Sequence, residues 1–275
     1  MTYCVAMCLD DGLVFLSDSR TNAGLDQIST FRKMTVYERE GDRVMVLMAA
    51  GNLAITQAVR QLLGSHTIEG ENGPVSIWNC TSLFDAARVV GSAIRKVYER
   101  DAESLKNFGI DFNVNLIFGG QIRGEPMRLF NVYAAGNFVE AGADGVCYFQ
   151  IGESKYGKPI IDRVVNRDTP LDQAAKCALV SMDSTLKSNL SVGLPLDLLI
   201  YQADSLHAQR IVHIDEHDPY FRMIRSSWGQ RLREVFESIP NPVWDDPDSD
   251  SGLRPPTVQQ EQGLNPIRKV NAPQG

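Results

Sequence analysis

Four residue types near the amino terminus, Thr2, Asp18, Lys33 and Gly51, carry chemistry if the chain brings them together. A threonine hydroxyl is a weak nucleophile and needs a neighbouring base. Removal of Met1, which a small second residue such as Thr2 permits, would supply one. The exposed α-amine titrates near ~8, so a useful fraction is neutral near pH 7. An ammonium such as Lys33 close to that amine lowers its pKa by charge, and a carboxylate such as Asp18 holds the ammonium in place. A backbone N–H such as that of Gly51, aimed at a developing oxyanion, is typically worth ~3 kcal/mol. The chemistry this set suits is acyl transfer from a peptide or amide through a covalent ester on Thr2.

Positioning these residues falls to two successive hairpins. Tyr3–Leu9 and Leu13–Ser17 flank the turn Asp10-Asp11-Gly12, and Arg32–Tyr37 and Val44–Met48 flank Glu40-Gly41-Asp42. With Leu9 opposite Leu13, Asp18 is expected opposite Cys4, a diagonal step from Thr2. With Tyr37 near Val44, Lys33 is expected beside Met48 and the following Ala49-Ala50-Gly51. Both strands of the first hairpin are apolar on both faces, as in a sheet buried from either side.

Beyond the hairpins, helical periods run over Asn52–Leu63, Ser82–Leu105, Leu171–Leu186 and Tyr220–Ile239. Strand patterns run over Phe112–Phe118, Met127–Tyr133, Gly145–Ile151, Leu196–Tyr201 and Ala208–Ile214. Helices and strands come in blocks rather than in alternation, so the reading is an α+β fold of antiparallel sheets with helices outside. From Pro240 the composition changes. Seven of the 13 prolines lie between Pro240 and Pro273, around an acidic run at 245–250. Residues 1–239 are therefore read as one domain and 240–275 as a disordered tail or one docked on a neighbour or an unidentified partner.

The bulk numbers restrict the function. A formal net charge of -7 argues against a nucleic-acid surface, which needs clustered cations. No apolar window approaches the length of a membrane span, and the amino terminus has no basic region of a signal peptide. Five cysteines (Cys4, Cys8, Cys80, Cys147 and Cys177) without a Cys-x-x-Cys pair predict reduced core thiols in a cytoplasmic protein. His213 and His217 have metal-ligand spacing, but Asp215-Glu216-His217-Asp218-Pro219 reads as a polar turn, and no metal is assigned. Gly119-Gly120-Gln121-Ile122-Arg123-Gly124 lacks the ending of a phosphate loop and reads as a hairpin turn.

The motifs Ser17-Asp18-Ser19-Arg20-Thr21, Phe31-Arg32-Lys33 and Ala49-Ala50-Gly51-Asn52-Leu53-Ala54 resemble those of proteasome β-subunits, which are amino-terminal-nucleophile (Ntn) hydrolases. The opening Thr-Tyr-Cys-Val and the run Ser-Asp-Ser-Arg-Thr-Asn-Ala-Gly are most similar to the bacterial Anbu branch, with the likeness extending from Thr2 to about His217. The resemblance implies a four-layer α-β-β-α sandwich of two antiparallel sheets flanked by helices. It implies Thr2 as nucleophile and base, Asp18 and Lys33 as the charge pair, Gly51 as oxyanion donor and Arg20 as a buttress of Asp18. Ser154, in Gly152-Glu153-Ser154, and Ser191, in Ser191-Val192-Gly193, would support the amine. Ser188 stands where the family usually has an aspartate. A specificity pocket would involve Thr21, Phe31, Thr35, Ala49 and Leu53, which favours an uncharged side chain next to the scissile bond. No metal or organic cofactor is implied. The expected protein is a homo-oligomer, a ring or an open spiral, acting as a threonine peptidase or amidase on peptide or amide substrates. The alternative is a catalytically weak proteasome-like scaffold or binding chamber.

Overall fold

The computed structural model describes residues 1–22, 28–71, 73–142 and 145–242. The chain opens with β1 (Tyr3–Leu9) and β2 (Gly12–Asp18), then a short pair, β3 (Arg20–Asn22) and β4 (Ile28–Thr30). β5 (Met34–Arg39) and β6 (Arg43–Gly51) form the next hairpin. Helix α1 (Leu53–Leu63) leads through a small hairpin, β7 (Ile68–Gly70) and β8 (Gly73–Val75), into the long helix α2 (Leu83–Asn107). Strands β9 (Val114–Ile122), β10 (Arg128–Val132), β11 (Phe138–Glu140) and β12 (Tyr148–Gly152) follow. The remainder is α3 (Lys158–Val164), α4 (Leu171–Ser188), β13 (Leu196–Gln202), β14 (Arg210–Ile214) and α5 (Pro219–Ser238).

Alternation along these strands builds three apolar layers. One sheet has the order β12-β1-β2-β13-β14 and the other β11-β10-β9-β6-β5. Cys4, Ala6, Leu13 and Phe15 of the first sheet meet Val44, Val46, Met48 and Ile117 of the second between the sheets. The opposite faces of the same strands carry Val5, Met7, Val14 and Leu16, packed on Ala174, Ala178 and Met182 of α4. Met45, Leu47 and Phe118 lie under Val59 of α1 and Val90 and Ile94 of α2. The result is the four-layer α-β-β-α sandwich expected from the sequence. Burying one such side chain fully is worth ~1.5–3 kcal/mol, so strands apolar on both faces fix their own position in the middle of the stack.

Two compact units divide the chain after Leu232. The first contains both sheets. The second, from Arg233, is described only to residue 242, so nearly all of the tail predicted from Pro240 lies outside the described residues. Among the described residues no helix is long and apolar enough to cross a membrane, and no group of His, Cys, Asp and Glu side chains is arranged to hold a metal ion.

Several expectations need correction. Both hairpin registers are one residue away from those read from the sequence. Leu9 pairs with Gly12 and Cys4 with Ser17, because only Asp10 and Asp11 form the turn. Tyr37 pairs with Met45, which puts Lys33 beside Ala49, whose N–H donates to the Lys33 carbonyl at 3.1 Å. Gly119 and Gly120 belong to β9 rather than to a turn. A Cβ on Gly120 would lie 2.0 Å from the Val44 carbonyl oxygen, so close strand approach explains that glycine. The short strands β3, β4, β7, β8 and β11 and the seven-residue helix α3 carry too few periods to register as patterns.

Candidate active site

β1 and β2 end side by side, and the corrected register brings Asp18 to the start of β1. The Tyr3 N–H donates to Asp18 Oδ1 at 2.9 Å. Lys33 enters from the second sheet and places Nζ 2.7 Å from the same oxygen. Gly193 N–H approaches Asp18 Oδ2 at 3.4 Å. Asp18 has no exposed surface and Lys33 is 5% exposed. Burial pushes the Asp18 carboxyl above its ordinary value, opposed by the Lys33 charge and hydrogen bond and by the two backbone N–H groups. An ion pair this deep is costly to break, because either partner left alone is an uncompensated buried charge.

Thr2 sits at the mouth of this arrangement. Its carbonyl accepts the Glu153 N–H at 2.8 Å, and Tyr3 pairs with Gly152, so β12 grips the start of β1 from the side opposite β2. Lys33 Nζ also donates to the Met1 carbonyl at 3.1 Å. Met1 itself is 60% exposed. The pKa of its amine is lowered by burial first and then by Lys33.

A small cleft opens beside Thr2, lined by Phe31, Arg32, Lys33, Ala49, Gly51, Leu53, Thr56 and Arg60. Gly51 ends β6 at φ +113°, and a Cβ there would lie 2.3 Å from the Asn113 carbonyl oxygen, so the position requires glycine. The following Asn52 caps α1, its side-chain oxygen accepting from the N–H groups of Ala54 and Ile55. The cap starts the helix directly after the strand, so that Leu53, Thr56 and Arg60 of α1 stand on the cleft wall.

The structure therefore brings Thr2, Asp18, Lys33 and Gly51 together, with Phe31, Ala49 and Leu53 on the cleft wall. Thr35 is not among the lining residues; its hydroxyl is buried on β5 without a hydrogen-bond partner among the described residues. Thr21 stands on β3, and its side chain lies outside the described residues. Arg20 donates to the Leu190 carbonyl at 3.1 Å and covers Gly193 so closely that a Cβ there would lie 2.1 Å from its Nε. It supports the residue whose N–H reaches Asp18. Ser154 begins a single 3₁₀ turn (Ser154–Tyr156), but the contact to the terminus comes from the neighbouring Glu153. Ser191 is half-buried, and its N–H and hydroxyl bond Asn189 Oδ1 at 3.0 and 2.6 Å. Ser188 is exposed in the last turn of α4. The polar side chain at this helix end that serves Ser191 is thus Asn189, not Ser188.

The fold as a whole recurs in solved structures. Anbu, the ancestral β-subunit, from Yersinia bercovieri is 51% identical, with 88% of this chain and 100% of that chain covered at a TM-score of 0.80. The chain belongs to the Anbu family. Anbu from Pseudomonas aeruginosa, solved as the helical assembly of the Anbu complex, is 47% identical over 88% of this chain and 99% of its own, with a TM-score of 0.81. A Gly-1 mutant of Anbu from Hyphomicrobium sp. strain MC1 is 46% identical over 88% and 99%, with a TM-score of 0.80. No protein-family model and no curated protein matches the chain. Membership in the Anbu family gives the chain a proteasome-type fold, in agreement with the two sheets and their helical covers.

Sequence reasoning missed Arg32, Thr56 and Arg60 as lining residues. The signal was present: Leu53, Thr56 and Arg60 stand at i, i+3 and i+7 of one helix, so assigning Leu53 to the cleft assigns the other two. Nothing in the sequence pattern pointed to Gly193 N–H or to Asn189.

Proposed function

We propose that the chain is a threonine hydrolase of the Ntn type, a peptidase or amidase in which Thr2, freed of Met1, is nucleophile and base. The observation that supports this most is one cleft shared by Thr2, Lys33 and Gly51, with Lys33 pinned to a buried Asp18. In the proposed reaction the Thr2 α-amine takes the hydroxyl proton as Oγ attacks the substrate carbonyl. The oxyanion faces the Gly51 N–H, a donor typically worth ~3 kcal/mol. The amine then passes its proton to the departing nitrogen, the C–N bond breaks, and an ester remains on Thr2. Water, deprotonated by the same amine, hydrolyses that ester and restores the hydroxyl. Lys33 donates to the Met1 carbonyl at present, so loss of Met1 frees one of its N–H groups for the new terminus.

The solved helical assembly of the Pseudomonas aeruginosa Anbu complex supports a homo-oligomer here too, with the clefts held in a shared assembly. Intact mass spectrometry before and after a threonine-directed epoxyketone tests the reading. The expected result is loss of Met1 and one added probe mass that disappears in Thr2→Ala. Met1 retained in protein isolated from its own host would instead favour a proteasome-like scaffold that no longer cleaves amides.

A further inference from the structure

The cleft beside Thr2 carries more positive charge than its role in amide cleavage needs. Three of its nine lining residues, Arg32, Lys33 and Arg60, are cations, and none is an acid. Lys33 is neutralised by Asp18. Arg32 is 67% exposed on its side chain and reaches Asp197 only at 4.0 Å, while that carboxylate oxygen is bonded at 3.1 Å by His213 Nδ1. Arg60 is half-buried and makes no ion pair among the described residues. Its one recorded hydrogen bond runs from Nη1 to the Arg32 carbonyl at 3.0 Å, and its guanidinium lies 5.4 Å over the Phe31 ring. Those contacts orient a planar five-donor fork at the edge of the cleft and leave most of its donors without an acceptor among the described residues.

A half-buried arginine that meets no counter-charge among the described residues, next to a nucleophile, is suited to bind an anion that arrives with the substrate. We infer that Arg60, with Arg32 beside it, reads a carboxylate lying within one residue of the carbonyl that Thr2 attacks. The inference rests on the hydrolase reading above and gives it a substrate class. It also reverses the expectation of an uncharged neighbour, which considered only Thr21, Phe31, Thr35, Ala49 and Leu53. A charge-assisted, bidentate contact of this kind favours the acid over its isosteric amide by about 10- to 100-fold.

The test uses the full-length assembled protein and four peptide reporter amides. Three end in Glu, Gln or Leu before the reporter, and one ends in Leu before a leaving amine that carries the carboxylate. The expected result is a kcat/KM about 10- to 100-fold higher for Glu than for Gln. Preference for the carboxylated leaving amine over plain Leu would place the anion on the other side of the scissile bond, still on Arg60. Arg60→Gln should collapse the acid-to-amide ratio toward one, and Arg60→Lys should restore only part of it, since a point charge lacks the fork. Should Arg60→Gln fail to fold, Arg32→Gln at the exposed position should still lower the ratio. Equal rates on Glu, Gln and both Leu reporters would overturn the carboxylate inference and leave the hydrolase intact. If no reporter turns over, fluorescence anisotropy with the Thr2→Ala protein decides. Arg60-dependent preference for the Glu peptide would uphold the inference without the hydrolase, and equal binding would overturn both.

Discussion

Asp18 is the residue on which the others depend, because its two oxygens, buried from the surface, collect Lys33, Tyr3 N–H and Gly193 N–H. Asp18→Asn keeps the shape but strands the Lys33 charge, and Lys33→Met strands the carboxylate. Each is expected to cost about 3–5 kcal/mol in denaturant unfolding, with the double variant costing less than the sum of the two. The same burial sets a pH dependence. Asp18 titrates higher in the folded chain than in the unfolded one. Between the ordinary aspartate value, near ~3.9, and the raised one the folded state binds more protons, so this group lowers stability as pH rises through that window. Activity runs the other way, since the ion pair that anchors Lys33 forms only once Asp18 ionises. Below the step set by the Thr2 amine, the acid side of the pH–rate profile should therefore carry a second step, above the ordinary carboxylate range, that vanishes in Asp18→Asn. Identical acid sides in the two proteins would show that Asp18 does not govern activity. At this scale the sequence was readable where residue type dictates role, as with a threonine behind Met1, an ammonium and a carboxylate. It was silent on Gly193 and Glu153, which contribute main-chain N–H groups that any residue type offers.

The strand ends do the placing, and here the sequence was legible only to within one residue. Apolar runs flanking turn signals located β1, β2, β5 and β6, yet both registers came out one step off, because a hairpin's register depends on how many residues its turn consumes. The error did not scatter the site, since Asp18 and Lys33 lie at strand ends and the long Lys33 side chain reaches across the mismatch. Helix α1 was plain from its period, and its role follows from its first two positions. Asn52→Ala removes the side chain that caps Ala54 and Ile55 and should cost about 1 kcal/mol. Gly51→Ala is a harsher change, forcing a Cβ against the Asn113 carbonyl at a φ that disfavours it. It should cost about 1–3 kcal/mol in thermal or denaturant unfolding and suppress labelling of Thr2 far more than Asn52→Ala does. Equal losses of labelling in the two variants would mean that Gly51 acts through general stability and not through the geometry of its N–H.

At the scale of the whole molecule, the comparison with solved Anbu structures separates what the sandwich needs from what it carries. Those structures are matched over 99–100% of their own length by 88% of this chain. The unmatched share is close to the share that lies beyond Ile239, where the composition turns to proline, aspartate and glutamine. A segment so poor in apolar side chains has little to bury, so it adds little to the free energy of the folded domain. Among the described residues, the three apolar layers reach no further along the chain than Ile224. A chain ending at Ile239 is accordingly expected to melt within a degree or two of the full-length protein, because substitutions away from packed features rarely exceed ~0.5 kcal/mol. Mass photometry of the two forms then reads the tail's other potential role. Equal assembly sizes would make it a solvated appendage, whereas a fall on truncation to the mass of one shortened chain, below the 30.5 kDa of the full one, would make it the segment that docks on a neighbouring copy. A large drop in melting temperature without a change of assembly would contradict both, and would mean that the tail completes the sandwich itself.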